Sequence, residues 1–155
     1  MPRRPEHLRT GALITAGVAG AAAYDLPPAK AALEVAGAVL LSGVGSSLPD
    51  VLEPANRIDH WSFAHSVTIG SGLLALLATE GHEIRYALRD QGNQLFAVLA
   101  ESEDRPLLWL AYLVGGAAAY MLSGAVLGVM TGYLSHLLLD QVKSKSNIPL
   151  MCRGL

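Results

Sequence analysis

Residues 107–130 read LLWLAYLVGGAAAYMLSGAVLGVM, twenty-four consecutive positions without a charge. About 20 apolar residues in helical form cross the ~30 Å hydrocarbon core of a bilayer, so this run is long enough to span one. Gly115, Gly116, Gly124 and Gly128 within it allow another helix to pack closely. Three further apolar runs precede it, at residues 11–24, 29–48 and 63–78. The second approaches the spanning length, and the first and third are 14–16 residues long. Asp25-Leu26-Pro27-Pro28 separates the first two, because paired prolines cannot continue a helix.

The composition agrees with a membrane setting. Apolar residues make up 52% of the 155-residue chain and charged residues only 15%, and the mean hydropathy is +0.38. A soluble domain carries about 25% charged residues. Intrinsic disorder is excluded by this balance. A disulfide scaffold is excluded by the single cysteine, Cys152. The net charge of −2 offers no basic field, so specific nucleic-acid binding is not expected. A cleaved leader over residues 1–24 fits poorly: the core lacks leucines, and Tyr24-Asp25-Leu26-Pro27 is a poor cleavage site.

These features predict one all-α domain over residues 1–155, an integral membrane bundle of about four apolar helices with a tail at 143–155. Basic residues set the orientation. Arg3, Arg4 and Arg9 precede the first run, and Lys143, Lys145 and Arg153 follow the last. Residues 80–105 carry three arginines and six acidic groups and read as a hydrophilic loop on the far side. Four spans then return both termini to the cytoplasmic face.

That topology gathers chemistry at one face. Of the five histidines, His7, His60, His65 and His136 fall at the cytoplasmic ends of apolar runs, together with Asp50 and Asp140. His136 and Asp140, four apart in Ser-His-Leu-Leu-Leu-Asp, project from one side of a helix and can reach a common divalent cation. An interfacial hydrogen bond is the plain alternative for that pair. His60 and His65 are five apart, so one of them lies in a turn, with Ser62 a candidate cap. Asp50 follows Gly43-Val44-Gly45-Ser46-Ser47-Leu48-Pro49, a stretch small enough for close approach of another helix, where Asp50 could coordinate or cap. His82, between Glu80 and Glu83, reads as a solvated surface residue. There is no nucleophile elbow, Walker loop or dinucleotide fingerprint.

Three blocks in order carry a resemblance: Leu48-Pro49-Asp50; then His60-Trp61-Ser62-Phe63-Ala64-His65-Ser66; then Gly132-Tyr133-Leu134-Ser135-His136-Leu137-Leu138-Leu139-Asp140, followed by Ile148-Pro149-Leu150. Together with His7-Leu8 they resemble the bacterial family of membrane-bound metal-dependent hydrolases whose best-known members are under SOS (LexA) control. That family is distantly similar to zinc-dependent phospholipases C and single-strand nucleases. The resemblance covers about residues 6–150. It implies a phospholipase C-like helical core at the inner membrane, with one to three zinc ions, or alternatively manganese, held by His7, Asp50, His60, His65, His136 and Asp140. It implies hydrolysis of a phosphoester or phospholipid by metal-activated water, with Asp50 bridging metals or taking the proton.

The chain departs from the family at Leu52 and Glu53, where a second Asp and a His stand, at Trp61, where an Arg stands, and at Ala64, where a Thr stands. These exchanges keep a second reading open: a catalytically degenerate membrane scaffold for a protein partner or a second copy of the chain. A soluble helical bundle is a third.

Overall fold

The computed structural model describes residues 4–53, 66–102 and 104–143. The described residues form helices joined by short turns, without strands. Helix α1 (Arg4–Ala22) ends just before the proline break, and α2 (Pro28–Leu52) starts on it, with Pro27 at the cap position. Helix α3 (Val67–Leu76) passes through a π turn at Leu77–Gly81 directly into α4 (His82–Ala100). The last helix, α5 (Pro106–Lys143), has 38 residues and, at 1.5 Å per residue, is about 57 Å long. Counting α3, the π turn and α4 as one rod, four rods make the bundle.

Two expectations change. Residues 80–105 are not a loop: most of them form α4, which packs along the first half of α5. Their charges were readable as a solvated stretch, but two arginines turn inward and find a carboxylate. Among the described residues, only the apolar runs in α2 and α5 form helices long and apolar enough to cross a membrane. The first run lies in a helix whose opening turns carry Glu6, His7 and Arg9, and the third continues without a break into polar α4. The cap expected at Ser62 falls outside the described residues. Within them, α3 opens on Ser66, whose hydroxyl accepts from the Ile69 amide at 3.2 Å.

The core is the α2–α5 interface, the most extensive among the described residues. The two helices run parallel with small residues interlocked at four-residue steps. A Cβ on Gly124, Gly128 or Gly132 would overlap the carbonyl oxygen of Glu34, Ala38 or Ser42, and one on Gly37 or Gly45 would overlap that of Met121 or Val129. Apolar side chains gain no burial by leaving hydrocarbon, so close backbone approach through small residues is how spanning helices associate. The other rods run against this pair. His7, Gly11 and Thr15 of α1 meet Asp140, Ser135 and Thr131 of α5. Gly70, Gly92 and Gly116 mark α3 and α4 descending along α5, beside Leu137, Tyr120 and Phe96. The start of α1, the end of α2, the start of α3 and the end of α5 therefore share one end of the bundle.

Candidate metal centre

At that end, α5 places His136 and Asp140 one turn apart on its buried face, and α1 brings His7 against them. All three are nearly inaccessible: 4% exposed for His7, 0% for His136 and 3% for Asp140. His7 Nε2 lies 3.3 Å from Asp140 Oδ1, and His136 Nε2 lies 3.3 Å from Asp140 Oδ2. The two imidazoles stack, with centroids 3.8 Å apart and planes inclined by 14°. Asp50, in the last turns of α2, brings Oδ1 to 3.6 Å from His136 Nε2. Its side chain is 45% exposed, so it forms the open side of the group.

The orientation of His136 is set from α2. Its Nδ1 lies 2.6 Å from the Ser46 carbonyl oxygen, which can only accept, so Nδ1 carries the proton. In the neutral ring Nε2 then holds a lone pair, aimed at two carboxylates. An outer bond of this kind fixes the tautomer of a metal-binding histidine. Close approach makes it possible: Gly132 meets Ser42, and the Ser46 hydroxyl donates to the Gly132 carbonyl at 3.1 Å.

The donor separations suit a cation and also describe a set of ion pairs. Charge-assisted N–H···O bonds span about 2.7–2.9 Å. Donors held about 2.0–2.2 Å from a tetrahedral ion are about 3.3–3.6 Å from one another. The His136 distances, 3.3 Å to Asp140 Oδ2 and 3.6 Å to Asp50 Oδ1, are of the second magnitude, while His7 Nε2 lies 3.3 Å from the other Asp140 oxygen. His7, His136 and Asp140 offer ligand atoms all within 4.8 Å, so the cluster could hold a metal ion.

Of the residues singled out from the sequence, the structure brings together His7, Asp50, His136 and Asp140. His60 and His65 lie outside the described residues. Asp50 does not cap α2, which continues to Leu52. His82 is exposed and packs against Tyr86.

A second polar cluster, unanticipated as a group, lies at the other end of α2. Glu34 is fully buried and receives the Arg85 guanidinium, Arg89 Nε at 2.8 Å and the Ser123 hydroxyl at 3.2 Å. Arg89 also donates to the Ala22 carbonyl at 2.7 Å and faces Asp25 Oδ1 at 3.7 Å. Burial works against the Arg89 charge, and the hydrogen bond and charge of Glu34, helped by Asp25, hold its pKa above the ordinary value. The readable signal was Glu34 itself, an ionisable residue inside an apolar run. No family model, curated protein or solved structure matches the chain.

Proposed function

We propose that this chain is a multi-pass protein of the bacterial inner membrane that hydrolyses a phosphoester, of the phospholipid type, with a divalent metal held at the cytoplasmic end of its bundle. Zinc is the first choice and manganese the alternative. The reading is carried by one observation: buried His7, His136 and Asp140 offer ligand atoms within 4.8 Å of one another, with Asp50 Oδ1 3.6 Å from His136 Nε2. Two helices long and apolar enough to cross a membrane support the location, and alternating rods support termini on one side.

The residues divide the work by exposure. Buried His7, His136 and Asp140 are the holding set, and Ser46 keeps the His136 lone pair turned toward it. Half-exposed Asp50 is the carboxylate that solvent and substrate can reach, so it is placed to take a proton from attacking water. A bound divalent cation would lower the pKa of such a water toward about 7. The deciding experiment is elemental analysis of detergent-purified wild type beside His136→Ala, followed by a phosphoesterase assay with and without chelator. Stoichiometric metal in the wild type alone, with chelator-sensitive turnover, is expected. Full metal occupancy in both proteins would remove His136 from the site.

A second reading is a metal-binding scaffold without turnover, serving a protein partner or a second copy of the chain. It is favoured by Leu52, which stands where the resembling family has a second acid, is 54% exposed and lines an apolar groove. Metal in the wild type with no activity across phosphoester substrates supports this reading, and chelator-sensitive turnover defeats it.

A further inference from the structure

Helix α3 has the least hold on the bundle. Among the described residues it approaches only α5 and the adjoining π turn. Ile69 and Leu73 are half-buried against Tyr133 and Leu137, and Leu74 and Leu76 are exposed. An apolar groove of about 240 Å³ separates α3 from α2 on one flank and from α1 on the other. Its continuation α4 is fixed: Arg85 and Arg89 reach buried Glu34, and Gly92 lies against Tyr120. The π turn at Leu77–Gly81 joins this loose arm to its fixed base.

The loose arm lies over the metal centre. Tyr133, Leu137 and Asp140 are four and three residues apart, so they share one face of α5. Ile69 and Leu73 pack on that face. The two helices run antiparallel, with Gly70 beside Leu137 and Leu77 beside the Leu127 cluster. At 1.5 Å per residue on both helices, the first turn of α3 is level with Asp140.

From this geometry we infer that α3 is a gate on the metal centre, swinging about the π turn to admit and release the ion. The inference rests on the metal-binding reading and adds how a closed site is filled. His7, His136 and Asp140 are buried, so ligand exchange at them needs a wall to move. The parts of a protein that open locally are those with few buried apolar contacts, and α3 is such a part. A helix in a close-packed interior shifts only by displacing its neighbours, and the two grooves leave α3 room on both flanks. A π turn interrupts the regular helical ladder and gives the rod a place to bend. Half-exposed Asp50 offers the ion a first landing point, on α2 rather than on the moving arm.

The test uses the full-length protein in detergent, with zinc as probe and Cys152→Ser as background. Gly70→Cys with Leu137→Cys ties α3 to α5, because a Cβ on Gly70 would stand 2.9 Å from the Leu137 side chain. Leu95→Cys with Gly115→Cys ties α4 to α5 as the control, across 3.3 Å. Zinc release to a chromophoric chelator is timed before and after oxidation by diamide. Closing the α3 disulfide should slow release at least tenfold at unchanged zinc content, and reduction should restore the rate. The α4 disulfide should change neither. Equal rates with the α3 bond open and closed, or equal slowing by both bonds, would overturn the gate and spare the metal site. If the α3 pair does not close, distances between nitroxide labels decide. Labels on Gly72 of α3 and Leu40 of α2, both exposed, should give two separations, and labels on exposed Ala87 of α4 and Leu40 only one. A single separation of equal width for both pairs would overturn the gate. Wild type without zinc defeats the metal-binding reading, and the nitroxide pairs still report the swing.

Discussion

The His136 imidazole is hydrogen-bonded through Nδ1 to the Ser46 carbonyl of a neighbouring helix, at 2.6 Å. The bond links the two most closely packed helices to the chemistry at their common end. Ser46 lies three residues before Pro49, which sits inside α2 and has no amide hydrogen for the Gly45 carbonyl. The α2 backbone at this point both approaches α5 and orients its histidine.

The glycine ladder is therefore expected to control metal content from a distance. Gly132→Val would place side-chain atoms on the Ser42 carbonyl and push α2 away from His136. Overpacking of this kind costs about 1–3 kcal/mol. The expected outcome is a lower unfolding temperature in detergent together with sub-stoichiometric metal, read by scanning fluorimetry and elemental analysis. Gly17→Ala is the control, because nothing lies within 4 Å of the added Cβ. Helix propensity makes that change neutral or stabilising by about 0.5–1 kcal/mol.

Asp140 should be sensitive to charge at constant shape. Its two oxygens face both histidines, so Asp140→Asn preserves volume while removing the charge that a cation needs. Metal affinity is expected to fall at least tenfold, measured by competition with a chromophoric chelator. Unchanged affinity would mean that the three residues form only an ion-pair cluster.

The buried cluster at the other end of α2 should behave as an ionic lock. Glu34→Leu leaves Arg85 and Arg89 buried without their shared carboxylate. Removing one member of a buried ion pair costs about 3–5 kcal/mol, while replacing all members by apolar groups is often neutral. The single variant should unfold far more readily than the triple Glu34→Leu, Arg85→Leu, Arg89→Met. Chemical denaturation in detergent compares them, and equal loss in both would show that the charges themselves are required.

Membrane residence has a direct check. With α2 and α5 crossing the bilayer, the protein should remain in the pellet after alkaline carbonate extraction of membranes and enter solution only with detergent. Release by carbonate would assign both helices to the core of a peripheral or soluble bundle.

What could be read in advance depended on how local the cause was. The break at Pro27-Pro28 follows from covalent geometry, and the His136–Asp140 pairing follows from helical periodicity. The small residues before Asp50 announced a close helix contact, and Gly45 makes one with Val129. No local cause fixed the place of His7, which depends on α1 running against α5, a relationship between residues more than 130 positions apart. The 80–105 segment was misread for a related reason. Arg85 and Arg89 are polar by composition, but their burial depends on Glu34, 51 and 55 residues earlier.

The π turn at Leu77–Gly81 acts as a phase adjuster in an otherwise continuous rod. Before it, Ile69 and Leu73 face the Tyr133–Leu137 cluster; after it, Arg85 and Arg89 face Glu34. Each residue of a regular helix advances the side-chain direction by about 100°. The wide turn holds one residue more than an α turn, so deleting Ala78 would close it into regular helix with both guanidiniums still facing their carboxylate, whereas a second deletion, with no wide turn left to absorb it, would swing them away. One residue of chain length, rather than any side chain, would decide whether the two ends of this rod fit the same bundle.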